Sequence, residues 1–421
     1  MAEPEANLSS RFTRFVFLAL IASLGFIQIP VFVFGQPVVI SDIVFLLLVV
    51  SWLSDIVRGF RPPRWHSFYW LLILYVFALI LSSTFSADPL RSFSRLPAEV
   101  YLPVLAALVA DVVRTPAGLR SSILSWLLGT AFAVVLGILT IVLFYVSPTS
   151  PLLEYVTYHY GAVPVGDYPR ITSTFVSASM FCNYLNVSLL ITILAAASAW
   201  ISVRLAWVLG ALIVICSGFT ISAGLGGLFL GLGVAYFLYR TSTTRLRWPV
   251  LTAAVLAALT FLFLSAVSLI PDRGEESRFA GIAFSPSGRI SIWHDAWQTF
   301  MTNIVTGHGI GLPVANVIFR NAEGTYSVLS DAHNTYLDLA AHTGLIGLAA
   351  IIAIAVYILR RWKNVIRNRQ GEVILWLGTA FLCAFVYQGL TGSFEHARHL
   401  WVLIGLFVAA ERNGSTPVQN S

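Results

Sequence analysis

The sequence predicts an all-α polytopic membrane protein of about twelve transmembrane helices, and three observations carry that prediction. Hydrophobic residues make up 57% of the 421-residue chain, charged residues only 10%, and the mean hydropathy is +0.82. Soluble domains carry about 25% Asp, Glu, Lys and Arg, because a water-facing surface demands it. The apolar residues also run for about 20 positions at a time, where the strands of an outer-membrane barrel would alternate. A soluble enzyme on a single anchor and a β-barrel are both excluded.

In chain order, crossings are expected at 12–34, 38–57, 67–84, 96–112, 121–146, 174–200, 204–221, 224–239, 249–270, 334–359, 372–390 and 398–410. The pair around Gly218 to Gly227 is the tightest, since Gly224, Gly226 and Gly227 leave almost no polar turn between two short helices. Basic residues check the count. With the N-terminus inside, 17 of the 25 Lys and Arg fall on the cytoplasmic side, and both halves of the chain obey the positive-inside rule. Both termini are then cytoplasmic, and the first segment, longer than a signal peptide's apolar core, is a retained helix. The whole chain, 1–421, reads as one integral-membrane domain.

The net charge of +6 raises the question of nucleic acid, but the basic residues are spread over many short loops with no aromatic-interleaved patch, so no nucleic-acid partner is expected. Cys182, Cys216 and Cys383 each sit alone in an apolar run and read as small buried hydrophobes. Lys363 is the only lysine, so the choice of arginine at any one position says little.

Two outer segments stand out by length, 147–173 and 271–331, and long loops in compact proteins are usually functional or disordered. In the larger one a helix is expected from Ser287, with Ile290, Trp293, Trp297, Met301 and Ile304 at helical spacing; such a helix would lie along the membrane surface.

Few ionisable residues fall deep in the helices, which argues against a carrier with a charged pathway. Polar groups gather instead on the outer face, where six of the eight histidines lie: His159, His294, His308, His333, His396 and His399, with Asp167, Arg170, Arg289, Asp331, Glu395 and Arg398. The sharpest local pattern is Asp331-Ala332-His333-Asn334 at the start of the tenth helix. Asp331 is expected to cap that helix and to put His333 in its first turn, where the helix dipole disfavours imidazolium and keeps the ring able to accept a proton. Gly344 and Gly347 would allow close helix packing behind it. By itself, an interfacial histidine is more often structural than catalytic.

His333-Asn334, nine residues, Gly344, two residues and Gly347 match the pattern His-(Asn/Ser/Gln)-x9-Gly-x-x-(Gly/Thr/Tyr), which resembles that of bacterial O-antigen ligases. Gly288-Arg289, Trp293 and the glycines of 307–311 resemble the stretch before the histidine in the O-antigen ligase and polymerase superfamily, and Arg170 resembles that superfamily's other outer-face arginine.

The resemblance implies transfer of a glycan from an undecaprenyl diphosphate carrier to an acceptor hydroxyl, on the periplasmic side of the bacterial inner membrane. Under it His333 would be the general base, needed because a sugar hydroxyl is a poor nucleophile. Arg170 and Arg289 would bind the diphosphate, whose charge grows as the bond breaks. Attack opposite the diphosphate would invert the anomeric centre. Asn334 and Asp331 are candidates for the shell around His333, and Trp293 and His308 for lining the acceptor path.

No cofactor is expected. The rival metal chemistry finds no Asp-x-Asp on the outer side; Glu275-Glu276 reads as a solvated loop, and His396 with His399 lacks a third zinc ligand. The glycines at 307, 309 and 311 read as tight packing rather than a nucleotide loop. Glu395 and Arg398 are expected to pair as i, i+3 neighbours.

Within the resemblance, ligation to lipid A core ranks ahead of polymerisation onto another lipid-linked glycan. A protein oligosaccharyltransferase ranks third, because it usually carries a further soluble C-terminal region and only about ten residues follow Ala410. A flippase or exporter of lipid-linked glycans is the alternative of a different class.

Overall fold

The computed structural model describes residues 8–26, 31–33, 36–60, 62–156, 169–220, 222, 228–229, 233, 277–279, 282–284, 289–320, 326–368, 371–391 and 397–414. Helices dominate: α1 (Leu8–Ser23), α2 (Ile40–Val57), α3 (Tyr69–Thr84), α4 (Pro89–Val112), α5 (Pro116–Val146), α6 (Leu153–Val156), α7 (Ala178–Ala197), α8 (Val203–Phe219), α9 (Arg289–Thr302), α10 (Thr335–Asn368), α11 (Glu372–Thr391) and α12 (Arg398–Gly414). Three antiparallel hairpins join them, β1 (Val31–Val33) with β2 (Gln36–Val38), β3 (Ser277–Phe279) with β4 (Ile282–Phe284), and β5 (Val317–Arg320) with β6 (Tyr326–Leu329). Strands of three or four residues are too short to leave an alternating pattern, so no sequence signal announced them.

Five described helices, α2, α4, α5, α7 and the part of α10 to Ile366, are long and apolar enough to cross a membrane; α3, α8 and Glu372–Val386 of α11 are shorter apolar helices. The bundle is that of a polytopic helical membrane protein. Its outward surface is apolar as a lipid solvent requires: Ile43, Leu46, Leu47, Val50 and Leu53 of α2 are all exposed. The expected crossing at 249–270, all of that at 224–239 but 228–229 and 233, and the glycine turn between 223 and 227 lie outside the described residues. The expected crossing at 12–34 is corrected: α1 stops at Ser23 and the β1–β2 hairpin follows.

Local chemistry sets the helix starts. Asp88, Thr115, Ser177 and Ser202 each accept a backbone N–H of the following first turn, and Pro89 and Pro116 occupy first helical positions. Thus α4 begins well ahead of the expected residue 96, because a cap and a proline outweigh the polar residues Arg91, Ser94 and Arg95. Polar side chains tie the bundle inside: Trp126 donates to Ser188 at 2.9 Å, and Thr130 bridges Ser188 and Tyr184 at 3.0 and 3.1 Å. Cys182, Cys216 and Cys383 are buried free thiols, as read from their apolar surroundings.

Helix α9 packs on the start of α10 through Ala296 and Phe300, in one cluster with Ala332, Ala340 and Ala341, and Ile292 is buried as well. Of the apolar residues expected along the membrane surface, Trp293 is half-buried, while Trp297, Met301 and Ile304 are exposed.

Candidate functional site

The site is organised by a break in α10. Gly344 has φ 64° and ψ −163°, a combination that side chains with a Cβ do not tolerate. The helix is interrupted there, and the backbone groups freed by the break are taken up by the segment after α9. Leu345 N–H donates to Ile304 O at 2.8 Å; in return His308 and Gly309 N–H donate to Ala341 O and His342 O at 2.8 and 3.1 Å. Close approach explains the glycines. A Cβ on Gly307 would lie 2.2 Å from His342 O, and one on Gly344 would lie 2.3 Å from Val305 O. The reading of 307–311 as tight packing holds. Gly344, expected to serve helix packing, instead serves a helix break.

The same turn is stitched to the start of α4. Ala87 N–H donates to His308 O at 3.1 Å, Ser92 Oγ donates to Ile310 O at 2.9 Å, and Ser82 Oγ of α3 donates to His342 O at 2.6 Å. The connection between α3 and α4, the 307–311 turn and the α10 break thereby form one end of the bundle.

On this platform sits the turn Asp331 to Asn334. Asn334, not Asp331, caps α10: its Oδ1 accepts from Tyr336 N–H and Leu337 N–H at 3.1 and 3.2 Å. His333 consequently lies ahead of the helix rather than in its first turn, with a left-handed φ of 45°. Asp331 forms a local turn instead. Its Oδ1 accepts His333 N–H at 3.0 Å and also contacts His333 Nδ1.

Both side chains are nearly half exposed, 45% for His333 and 46% for Asp331, so a bulky substrate can reach them. A carboxylate against Nδ1 holds the proton on that nitrogen and leaves the Nε2 lone pair as the basic position.

Three groups hold the turn from beneath. Trp293 Nε1 donates to Ala332 O at 3.0 Å. Asp338 Oδ1 accepts the fully buried Ala332 N–H at 3.1 Å, while Asp338 Oδ2 stands 3.3 Å from His342 Nδ1. His342 Nε2 lies 2.9 Å from Leu312 O. Asp338 and His342 therefore link the His333 turn to the 307–312 turn. They were missed as a pair, although their i, i+4 spacing and ionisable character within an apolar helix were the available signal.

Asp338→Ala orphans the Ala332 N–H and is expected to cost about 1–3 kcal/mol, the penalty for a buried donor left without its partner. Hydrogen exchange at 332–334, faster in Asp338→Ala than in Asp338→Asn, checks this; protection equal to wild type in both would remove Asp338 from the role.

Of the other expected residues, Arg289 is the first residue of α9, one turn ahead of Trp293. His308 is half-buried and contributes its backbone to the junction. Arg170 stands against the end of α8, where its Nε donates to Thr220 O at 3.0 Å. Trp293, Asp331, His333 and Asn334 are thus brought together, and Arg170 is not joined to them by that bond.

Arg398 pairs with Asp42 at the start of α2 at 2.8 Å. Glu395 itself, with His159, Asp167, Glu275, Glu276, Ser287 and His396, lies outside the described residues.

No curated protein matches the chain. Residues 205–352, a stretch that holds most of α8, α9, the His333 turn and the break in α10, match the family model described as O-antigen ligase.

Proposed function

We propose that the protein transfers a glycan from an undecaprenyl diphosphate carrier to an acceptor hydroxyl, with O-antigen ligation to lipid A core as the leading reaction. The family match supports a membrane glycan-transfer function. The observation that carries the finer reading is the His333–Asp331 pair, exposed on a turn whose backbone is held by Trp293 and Asp338.

In this reading His333 Nε2 takes the proton of the acceptor hydroxyl as its oxygen attacks the anomeric carbon. The carbon–oxygen bond to the diphosphate breaks, and the lipid diphosphate leaves with the electron pair, on the face opposite attack. Arg289, on the helix that holds the turn, and Arg170 receive the growing charge. The catalytic end faces the periplasm, and both chain ends face the cytoplasm.

Polymerisation of a lipid-linked glycan uses the same chemistry with a different acceptor. Mass spectrometry of the product made by purified protein from a defined polyprenyl-linked donor, offered lipid A core and a second lipid-linked glycan together, separates the two. A product on lipid A core is expected; a product only on the second lipid-linked glycan replaces ligation by polymerisation, and no transfer to either overturns the reading.

Arg289→Ala and Arg170→Ala are each expected to weaken donor use by about 1.5–3 kcal/mol, the range for a charged hydrogen bond, equivalent to one to two orders of magnitude in kcat/KM for donor. Unchanged donor kinetics would take that arginine out of the site. Turnover that EDTA abolishes and Mg²⁺ restores would replace the arginine mechanism by a metal one.

A further inference from the structure

At the end of the bundle opposite the His333 turn, α3 and α10 enclose a cavity of about 480 Å³. Leu71, Ala353 and Val356 form apolar walls, and Tyr357, Arg360, Arg361 and Asn364 form its polar rim. Unbroken α10 from Leu345 to Arg361 spans about 24 Å, so the polar rim of the cavity and the α10 break are separated by most of a bilayer core. Two neighbours mark the level of the cavity. Trp65 and Trp70, at the entry to α3, are each 62% exposed and stack edge to face at 5.3 Å, as tryptophans do where hydrocarbon meets headgroups.

The rim is basic. Arg360, Arg361 and Lys363 are exposed, and the acid facing them is Glu411, already engaged by Arg361 at 3.0 Å and by the Tyr357 hydroxyl at 2.8 Å. Among the described residues Arg360 has no acidic partner. An apolar slot opening sideways at headgroup level, below a cationic rim with an uncommitted guanidinium, is complementary to a molecule with an acyl chain and a phosphate. A soluble anion would have no use for the slot, and a neutral lipid none for the rim.

We propose that this cavity seats one anionic phospholipid, its phosphate on Arg360 and Arg361 and an acyl chain against Leu71, Ala353 and Val356. The site lies away from the glycan-transfer chemistry and does not depend on it. Bound lipid would splint α3 to α10, the helix that also carries the catalytic turn.

Native mass spectrometry of the full-length protein in detergent, titrated with phosphatidylglycerol or with phosphatidylcholine of the same chains, tests it. One tight phosphatidylglycerol per chain is expected. Arg360→Gln should weaken it about fivefold, the factor that one basic residue contributes against an anionic lipid surface. Val356→Trp, which fills the slot without changing charge, should also lower occupancy, and covers the case in which the arginine variant fails to fold. Excess inorganic phosphate should not displace the lipid. Equal binding of the two lipids, wild-type affinity in either variant, or displacement by inorganic phosphate would each overturn the proposal.

Discussion

Replacing His333 with asparagine is expected to lower glycan transfer by about 10²–10⁴, the usual contribution of a positioned general base, while leaving the fold and donor binding in place. Asparagine is the informative choice because the position is left-handed, φ 45°, and Asn tolerates that conformation better than Ala does. The side chain is also 45% exposed, so its removal opens no core cavity. Loss of turnover in His333→Asn would then report lost chemistry rather than lost structure.

Asp331→Asn should cost less. The amide oxygen can still accept the His333 N–H, but the charge that fixes the imidazole tautomer is gone. Radiolabelled or fluorescent donor, with transfer and binding measured on the same purified sample, separates these effects. Full turnover by His333→Asn would sink the mechanism, whereas no transfer even by the wild-type protein would favour the flippase alternative.

How far the sequence led depended on what each signal measures. Long apolar runs report the solvent around a helix, and they located α2, α3, α5, α7, α8, α11 and α12 to within a few residues. They fail where polar residues extend a helix into water, as at the start of α4, and where a segment is too short for periodicity, as in the three hairpins. The motif alone points to His333, and the structure sets it beside Asp331.

The cap was assigned to the wrong residue because Asp331 and Asn334 are both good N-caps, and which one serves depends on the backbone turn between them. Arg398 finds a partner far away in the chain, Asp42 at the start of α2, which no sequence spacing signals. Asp338 with His342 went unpaired for a related reason: their function is to join turns that meet only after folding.

Gly344→Ala is expected to be the most damaging small substitution in the site, costing more than about 4 kcal/mol, a size reached only by specific structural faults. Two effects combine. The φ, ψ pair at Gly344 belongs to a region essentially confined to glycine, worth about 1–3 kcal/mol of strain to any other residue. The new methyl would also stand 2.3 Å from Val305 O and 2.6 Å from Gly307 N, both backbone atoms that cannot rotate aside. Relief requires lifting the 304–309 segment off α10, which breaks the bonds at Leu345, His308 and Gly309, each worth about 1 kcal/mol net.

Gly347→Ala is the control within the same motif. Gly347 lacks the left-handed φ; its methyl would meet Thr343 Oγ1 at 2.0 Å, which a rotamer change clears, and Thr343 Cβ at 2.4 Å, which it does not, so a loss without the backbone strain is expected there. Melting in detergent, followed by intrinsic tryptophan fluorescence, should show Gly344→Ala more strongly destabilised than Gly347→Ala. A wild-type melting temperature for Gly344→Ala would mean that the break does not hold the segment. If the break fails as argued, His342 loses Leu312, Asp338 loses its brace, and the His333 turn loses its support from beneath; a glycine eleven residues from His333 then governs the chemistry through the backbone alone.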